Sequence, residues 1–206
     1  MTRTQEPAIP ARGGVKALRE AAAGCRACPL WRDATQTVFG SGPARADVML
    51  IGEQPGDRED REGEPFVGPA GHLLDRALES AGIDPAATYK TNVVKHFKWK
   101  PRGRRRIHQT PSKLEIDACR PWLDAELDRV RPEVVGLLGA TAAKALLGPG
   151  FRVSRQRGEL LEVEFAPVAV ATYHPSSVLR ASDEDRDEAF AELVADLRVL
   201  AGAAEG

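Results

Sequence analysis

Short apolar runs alternate with longer stretches of helical spacing along most of this chain. DVMLIG (47–52), TYKTNVV (88–94), EVVGLLG (133–139) and PVAVATY (167–173) have strand length and are bounded by turn residues or proline. Their near-continuous hydrophobicity predicts strands covered on both faces. Between them, Leu73, Leu74, Ala77, Leu78 and Ala81 recur at helical spacing, as do Ile116, Cys119, Leu123, Leu127 and Val130. Phe190, Leu193, Val194, Leu197 and Leu200 predict a last helix, behind acidic residues that suit a helix N-terminus. RGELLEVEF (157–165) reads as an added edge strand. The alternation predicts an α/β fold, a parallel sheet between two helical layers.

Composition narrows the class. At 206 residues, with 42% hydrophobic and 29% charged residues, the chain has the make-up of one globular domain and excludes wholesale disorder. Residues 1–14, with two prolines and no apolar run, read as a loose tail, and residues 15–206 as a single domain. No stretch approaches the roughly 20 apolar residues of a membrane span. Three cysteines, an odd number, argue against a disulfide framework and for a reducing, cytoplasmic setting. A net charge of -1 gives no bulk reason to expect nucleic acid, but the charges are segregated. The segment 95–108 (KHFKWKPRGRRRIH) holds seven Lys or Arg residues and no acid. It reads either as a solvated basic loop or as a groove along a phosphate backbone, with Phe97 and Trp99 free to stack on bases. Pro101 and Gly103 argue against helix there, which predicts a mobile loop.

Parallel α/β sheets bind ligands at the carboxyl ends of their strands. There the sequence sets Gly52-Glu53-Gln54-Pro55-Gly56-Asp57 after the first run, Asn92 inside the end of the second, and His174-Pro175-Ser176-Ser177 after the last. These groups are expected to converge on one crevice. Cys25-Arg26-Ala27-Cys28 has the spacing of a metal or cluster site, and also that of a redox dithiol or an incidental pair. Cys119 falls on an apolar helical stripe and by itself reads as a buried small hydrophobe. A four-ligand site would need one more group, and His96 is the candidate, since imidazole replaces thiolate in some iron–sulfur centres.

Taken together, Cys25-x-x-Cys28, Gly52-Glu53-Gln54-Pro55-Gly56, Glu64-Pro65-Phe66-Val67-Gly68-Pro69-Ala70-Gly71, Thr91-Asn92-Val93-Val94-Lys95, Cys119 and His174-Pro175-Ser176-Ser177 resemble the uracil-DNA glycosylase superfamily. The resemblance is to its iron–sulfur family-four enzymes and, among their neighbours, to the UdgX type. It implies a three-layer α/β/α sandwich on a central four-stranded parallel sheet. It further implies a [4Fe-4S] cluster held by Cys25, Cys28, His96 and Cys119, with His96 standing where family-four enzymes have a cysteine.

The same resemblance implies a uracil pocket of Gly52, Gln54, Phe66, Asn92 and His174, with Phe66 stacking on a flipped-out uracil and Asn92 reading its polar edge. His174 is expected to stabilise the departing base at O2. Lys95, Arg104, Arg105, Arg106 and Ser177 are the implied DNA contacts. Hydrolytic relatives orient water with a carboxylate in the first motif, but the second residue after Gly52 here is Gln54, and an amide is no general base. The basic segment resembles a UdgX insertion whose terminal histidine, His108, attacks C1′ of the sugar, with Glu53 orienting or deprotonating it and Gln54 holding the loop. The expectation is a single-turnover, covalently trapped glycosylase acting as a monomer on uracil-containing DNA, single-stranded in preference because flipping from duplex costs a few kcal/mol. A turning-over glycosylase and a noncatalytic iron–sulfur nucleic-acid-binding module are the alternatives.

Overall fold

A computed structural model describes residues 6–204. Among these, six strands occur in chain order, β1 (Val48–Gly52), β2 (Tyr89–Asn92), β3 (Trp99–Arg102), β4 (Arg105–His108), β5 (Val134–Leu138) and β6 (Val168–Thr172). Eight α-helices accompany them, α1 (Val15–Ala22), α2 (Asp57–Glu62), α3 (Pro69–Ser80), α4 (Lys113–Val130), α5 (Ala140–Leu147), α6 (Val153–Gln156), α7 (Pro175–Arg180) and α8 (Arg186–Ala204). Four strands make one parallel sheet in the order β2-β1-β5-β6, and β3 and β4 form a separate hairpin. The four apolar runs are thus the sheet, as their double-sided hydrophobicity requires.

Alternation along each strand divides the core into two layers. Met49, Ile51, Val135, Leu137, Ala169 and Ala171 face one cluster, packed by α1, α4 and α5. Val48, Leu50, Val134, Leu138 and Val170 face the other, packed by α3, α7 and α8. The result is the expected three-layer α/β/α sandwich. Register then matters for chemistry, because Gly52 at the end of β1 lies opposite Asn92 at the end of β2.

Two expectations change. The edge strand anticipated at 157–165 shrinks to one antiparallel bridge, Leu161 with Ala169. Gly158 turns the chain through a left-handed φ of 71°, and Arg157 is drawn away to Glu192 and Asp196 of α8. The segment taken for a mobile loop is the β3–β4 hairpin. Gly103, with φ of 60°, and Arg104 form its two-residue turn, which suits glycine in the first position. Pro101 sits one step from the closing pair Arg102–Arg105, at a pair that exchanges no backbone hydrogen bonds, so its missing N–H costs nothing there. Of the tail 1–14, residues 1–5 lie outside the described residues. Further along it, Arg129 of α4 donates to the carbonyls of Pro10, Ala11 and Gly13.

Beneath the sheet's ligand end lies a buried ion pair. Lys95 is 1% exposed and Glu126 of α4 is fully buried, and the two are in direct contact. Lys95 Nζ also donates to Thr91 Oγ1 and to the Asn92 carbonyl, both at 2.7 Å. Glu126 accepts from the Gly40 amide, Tyr89 hydroxyl and Thr91 hydroxyl at 2.9–3.0 Å. Replacing Lys95 by Met strands the carboxylate and should cost about 3–5 kcal/mol of unfolding free energy in a urea titration. Lys113→Met, which breaks the exposed pair with Asp117, should be nearly silent in the same assay.

Candidate active site

Glu53, Gln54, Phe66, Asn92, His108 and His174 line one cleft of about 720 Å³ at the carboxyl ends of the strands. A larger cleft, about 1070 Å³, opens around Pro132, Glu133 and Pro167, at the amino ends of β5 and β6. It holds none of the expected site residues, and a parallel sheet places its ligands at the other end.

Glycines allow the crowding of the smaller cleft. A Cβ on Gly52 would stand 2.4 Å from Asn92 Oδ1 and 2.8 Å from Phe66 Cζ, so only glycine lets both side chains close over the end of β1. Phe66 has a left-handed backbone, φ 58°, unusual for an aromatic residue. Its carbonyl lies where a Cβ on Gly71 would be, 1.7 Å away, so the start of α3 holds the strained turn in place. The Phe66 ring lies 6.4 Å from that of His174, the planes 26° apart.

His174 caps α7. The Ser176 amide donates to its Nδ1 at 3.2 Å, which places the ring proton on Nε2 in the neutral form. Burial holds it neutral, lowering its pKa from 6.5 to about 4 despite the nearby Glu53 carboxylate. A neutral N–H donor is therefore available in the cleft at physiological pH.

The hairpin delivers His108 opposite Glu53, Nε2 lying 3.2 Å from Oε1. The other carboxylate oxygen of Glu53 accepts the Thr141 hydroxyl, from the first turn of α5. Burial pushes the Glu53 carboxyl up, but His108 and Thr141 outweigh it and hold the group below the usual carboxylate range. Gln54 fastens the base of the hairpin. Its amide donates to the carbonyls of Lys98 and Gln109 at 3.1 and 3.2 Å and accepts from the Lys98 N–H at 3.1 Å. A carboxylate could do only the last of these, which is a physical reason for an amide at this position.

A model of the uracil DNA glycosylase superfamily matches residues 39–198. The chain belongs to that superfamily. Among similar proteins, a type-4 uracil-DNA glycosylase of Pyrobaculum aerophilum is 37% identical, over 79% of this chain and 83% of its own length. Those of Sulfurisphaera tokodaii and Thermotoga maritima are 34% and 36% identical, over 79% and 76% of this chain and 74% and 78% of their own lengths.

Not every residue implied by the glycosylase motifs faces the cleft. Lys95, expected on DNA, is sealed against Glu126. Arg106 donates to Asp60 at 2.6 Å and pairs with Asp57, bracing the hairpin against α2. Phe97 is buried beneath it and the Trp99 indole donates to the Asp33 carbonyl, so neither is a free stacking platform. Ser177 donates its hydroxyl to the His174 carbonyl at 2.7 Å. Arg104 and Arg105 are exposed at the hairpin turn. Sequence reasoning missed Thr141 and Arg180, which line the cleft. Thr141 lies in an Ala-rich helix start with no motif to mark it, but Arg180 follows His174-Pro175-Ser176-Ser177 one helical turn later.

The glycosylase's three cysteines are unpaired, and Cys28 and Cys119 are buried while Cys25 packs against the same core cluster. Burial raises the Cys28 thiol and pushes Cys119 to about 12, and the neighbouring cysteines add to both rises. Two N–H groups point at the sulfurs, from Lys95 to Cys119 at 3.3 Å and from the Trp122 indole to Cys25 at 3.2 Å. His96 is buried, with its pKa lowered by burial to about 4. Its Nε2 lies 2.9 Å from the Thr37 hydroxyl, which itself donates to the Ala22 carbonyl, so His96 donates there and keeps a lone pair on Nδ1. Among the described residues no three His, Cys, Asp or Glu side chains crowd closely enough to hold a single metal ion. Soft thiols with N–H donors and a neutral imidazole are nonetheless the donor chemistry of an iron–sulfur cluster.

Between pH 6.5 and about 4 the unfolded chain carries a proton on His174 that the folded chain does not, so stability is intact above this window and falls as pH drops through it. Urea midpoints of the wild type should decline across that range more steeply than those of His174→Gln. Equal slopes would contradict a buried neutral histidine.

Proposed function

We propose that this chain excises uracil from DNA and remains covalently attached to the abasic sugar through His108, the UdgX-type reaction. The observation that carries the reading is the pairing of His108 with Glu53 on the cleft that also holds Phe66, Asn92 and His174. Flipped-out uracil stacks on Phe66, and the Asn92 amide, which both donates and accepts, rewards uracil's carbonyl–imide edge over the amino group of cytosine. The Nε2–H of His174 donates to O2 as negative charge grows on the departing base.

Chemistry then follows from which groups are present. With Gln54 engaged by the hairpin, no carboxylate stands at that position to orient water. Glu53 takes up the proton of the His108 nitrogen that faces it, and the other ring nitrogen keeps a lone pair for C1′. The N-alkyl imidazole so formed is a poor leaving group, so each molecule reacts once. Arg180 on the cleft and Arg104 and Arg105 at the turn of the hairpin that carries His108 are exposed and suit phosphate contacts. Single-stranded DNA avoids the cost of unpairing.

Residues 15–206 act as one domain, a monomer in the cytoplasm. Cys25, Cys28, Cys119 and His96 would hold a [4Fe-4S] cluster, which when bound ties the N-terminal segment to the strand β2 exit and α4. Support comes from the unpaired thiols and their N–H donors. Iron analysis of protein purified without oxygen should find about four irons per chain. A value near zero would remove the cluster from this reading.

Denaturing electrophoresis after incubation with a uracil-containing oligonucleotide tests the reaction. A heat-stable shifted band is expected from the wild type and none from His108→Gly. Free abasic product without a band would indicate turnover, and an unchanged oligonucleotide binding alone. A band that persists in His108→Gly would rule out His108 as the nucleophile.

A further inference from the structure

The carboxylate of Glu53 has two unlike ends. Oε2 receives the hydroxyl of Thr141. Oε1 is buried and, among the described residues, has no well-formed hydrogen bond; His108 Nε2 stands 3.2 Å away without its N–H pointing squarely at the oxygen. One oxygen is thus occupied and the other is held open toward the nucleophile.

Thr141 can do this because of where α5 begins. The Gly139 amide donates to the Thr172 carbonyl at 2.9 Å, binding the end of β5 to the end of β6. Gly139 also has a φ of 91°, and its absent Cβ would lie 2.9 Å from the His174 Cβ. The first turn of α5 is therefore fixed against the segment that carries His174, and it reaches across to Glu53 at the end of β1.

We propose that Thr141 is a positioning residue for the covalent step, its hydroxyl fixing the rotation of the Glu53 carboxylate so that Oε1 alone receives the proton of His108. This rests on the reaction proposed above. In that step the C1′–N1 bond breaks and its electron pair leaves with uracil as the N1 anion. The lone pair of the free imidazole nitrogen forms the new bond to C1′, and the proton on the opposite nitrogen passes to Glu53 Oε1. Without the hydroxyl, the carboxylate can turn either oxygen inward, and burial acts on it with one fewer opposing donor.

The test compares single-turnover crosslinking rates of wild type, Thr141→Val, Thr141→Ala and Thr141→Ser against pH, with oligonucleotide binding measured separately. Val keeps the shape and removes the hydroxyl, Ala removes both, and Ser keeps the hydroxyl. Thr141→Val and Thr141→Ala should crosslink slower by on the order of tenfold or more, with the acid limb of the rate profile moved to higher pH and binding unchanged. Thr141→Ser should recover most of the rate and the wild-type acid limb. Wild-type rates and profile in either hydroxyl-free variant, or equal losses in Val and Ser, would overturn the role of Thr141 while leaving the reaction intact. A wild type that forms no crosslink would instead bring down the reaction on which the proposal rests.

Discussion

A charge pair with almost no access to water sits under the functional end of this sheet. Taking Lys95 and Glu126 out of solvent is costly, and their attraction compensates only because nearly every remaining donor and acceptor is matched. The matching groups come from different parts of the chain, namely Gly40 from the N-terminal loop and Tyr89, Thr91 and the Asn92 carbonyl from β2. Lys95 reaches both functional regions at once. Its ammonium holds the Asn92 carbonyl, and its backbone N–H donates to Cys119. Asn92 in the cleft and Cys119 in the core are therefore both held by one residue.

The hairpin is braced differently, from the surface inward. Lys98 pairs with Glu115 at 2.9 Å, in the capping box that starts α4, and Arg106 is held between Asp57 and Asp60 of α2. These contacts use up basic residues that composition alone offers to DNA. The near-zero net charge thus conceals two kinds of basic residue, those paired within the fold and those, Arg104 and Arg105, exposed at the hairpin turn.

Much of this was legible in the order of residues. Double-sided apolar runs identify the four sheet strands because a covered parallel strand has no wet face to encode, and the strand-end rule then brings Glu53, Asn92 and His174 together before any coordinates. Harder to read were features decided by tertiary partners. Lys95 looks like its basic neighbours, and only the distant Glu126 makes it internal. Pro101 and Gly103 signal a break in helix, but the same residues suit a hairpin once Trp99–Arg102 finds Arg105–His108. The segment 157–165 has strand propensity that the Arg157 pairing with α8 overrides. Thr141 has no local signature, since its role depends on the carboxylate of a residue 88 positions away.

The way Gln54 grips the hairpin has a consequence for how such a site can be rebuilt. Lys98 and Gln109 are already joined by a backbone hydrogen bond of 2.9 Å, so the ten residues between them leave and re-enter the framework at nearly one point. The intervening segment is a cassette. Removing it would leave no gap to span and no sheet strand to re-register, but it would strip the buried Asp60 of Arg106 and disturb the carbonyls to which the Gln54 amide donates, so the loop's cost is set by these side chains and not by chain closure.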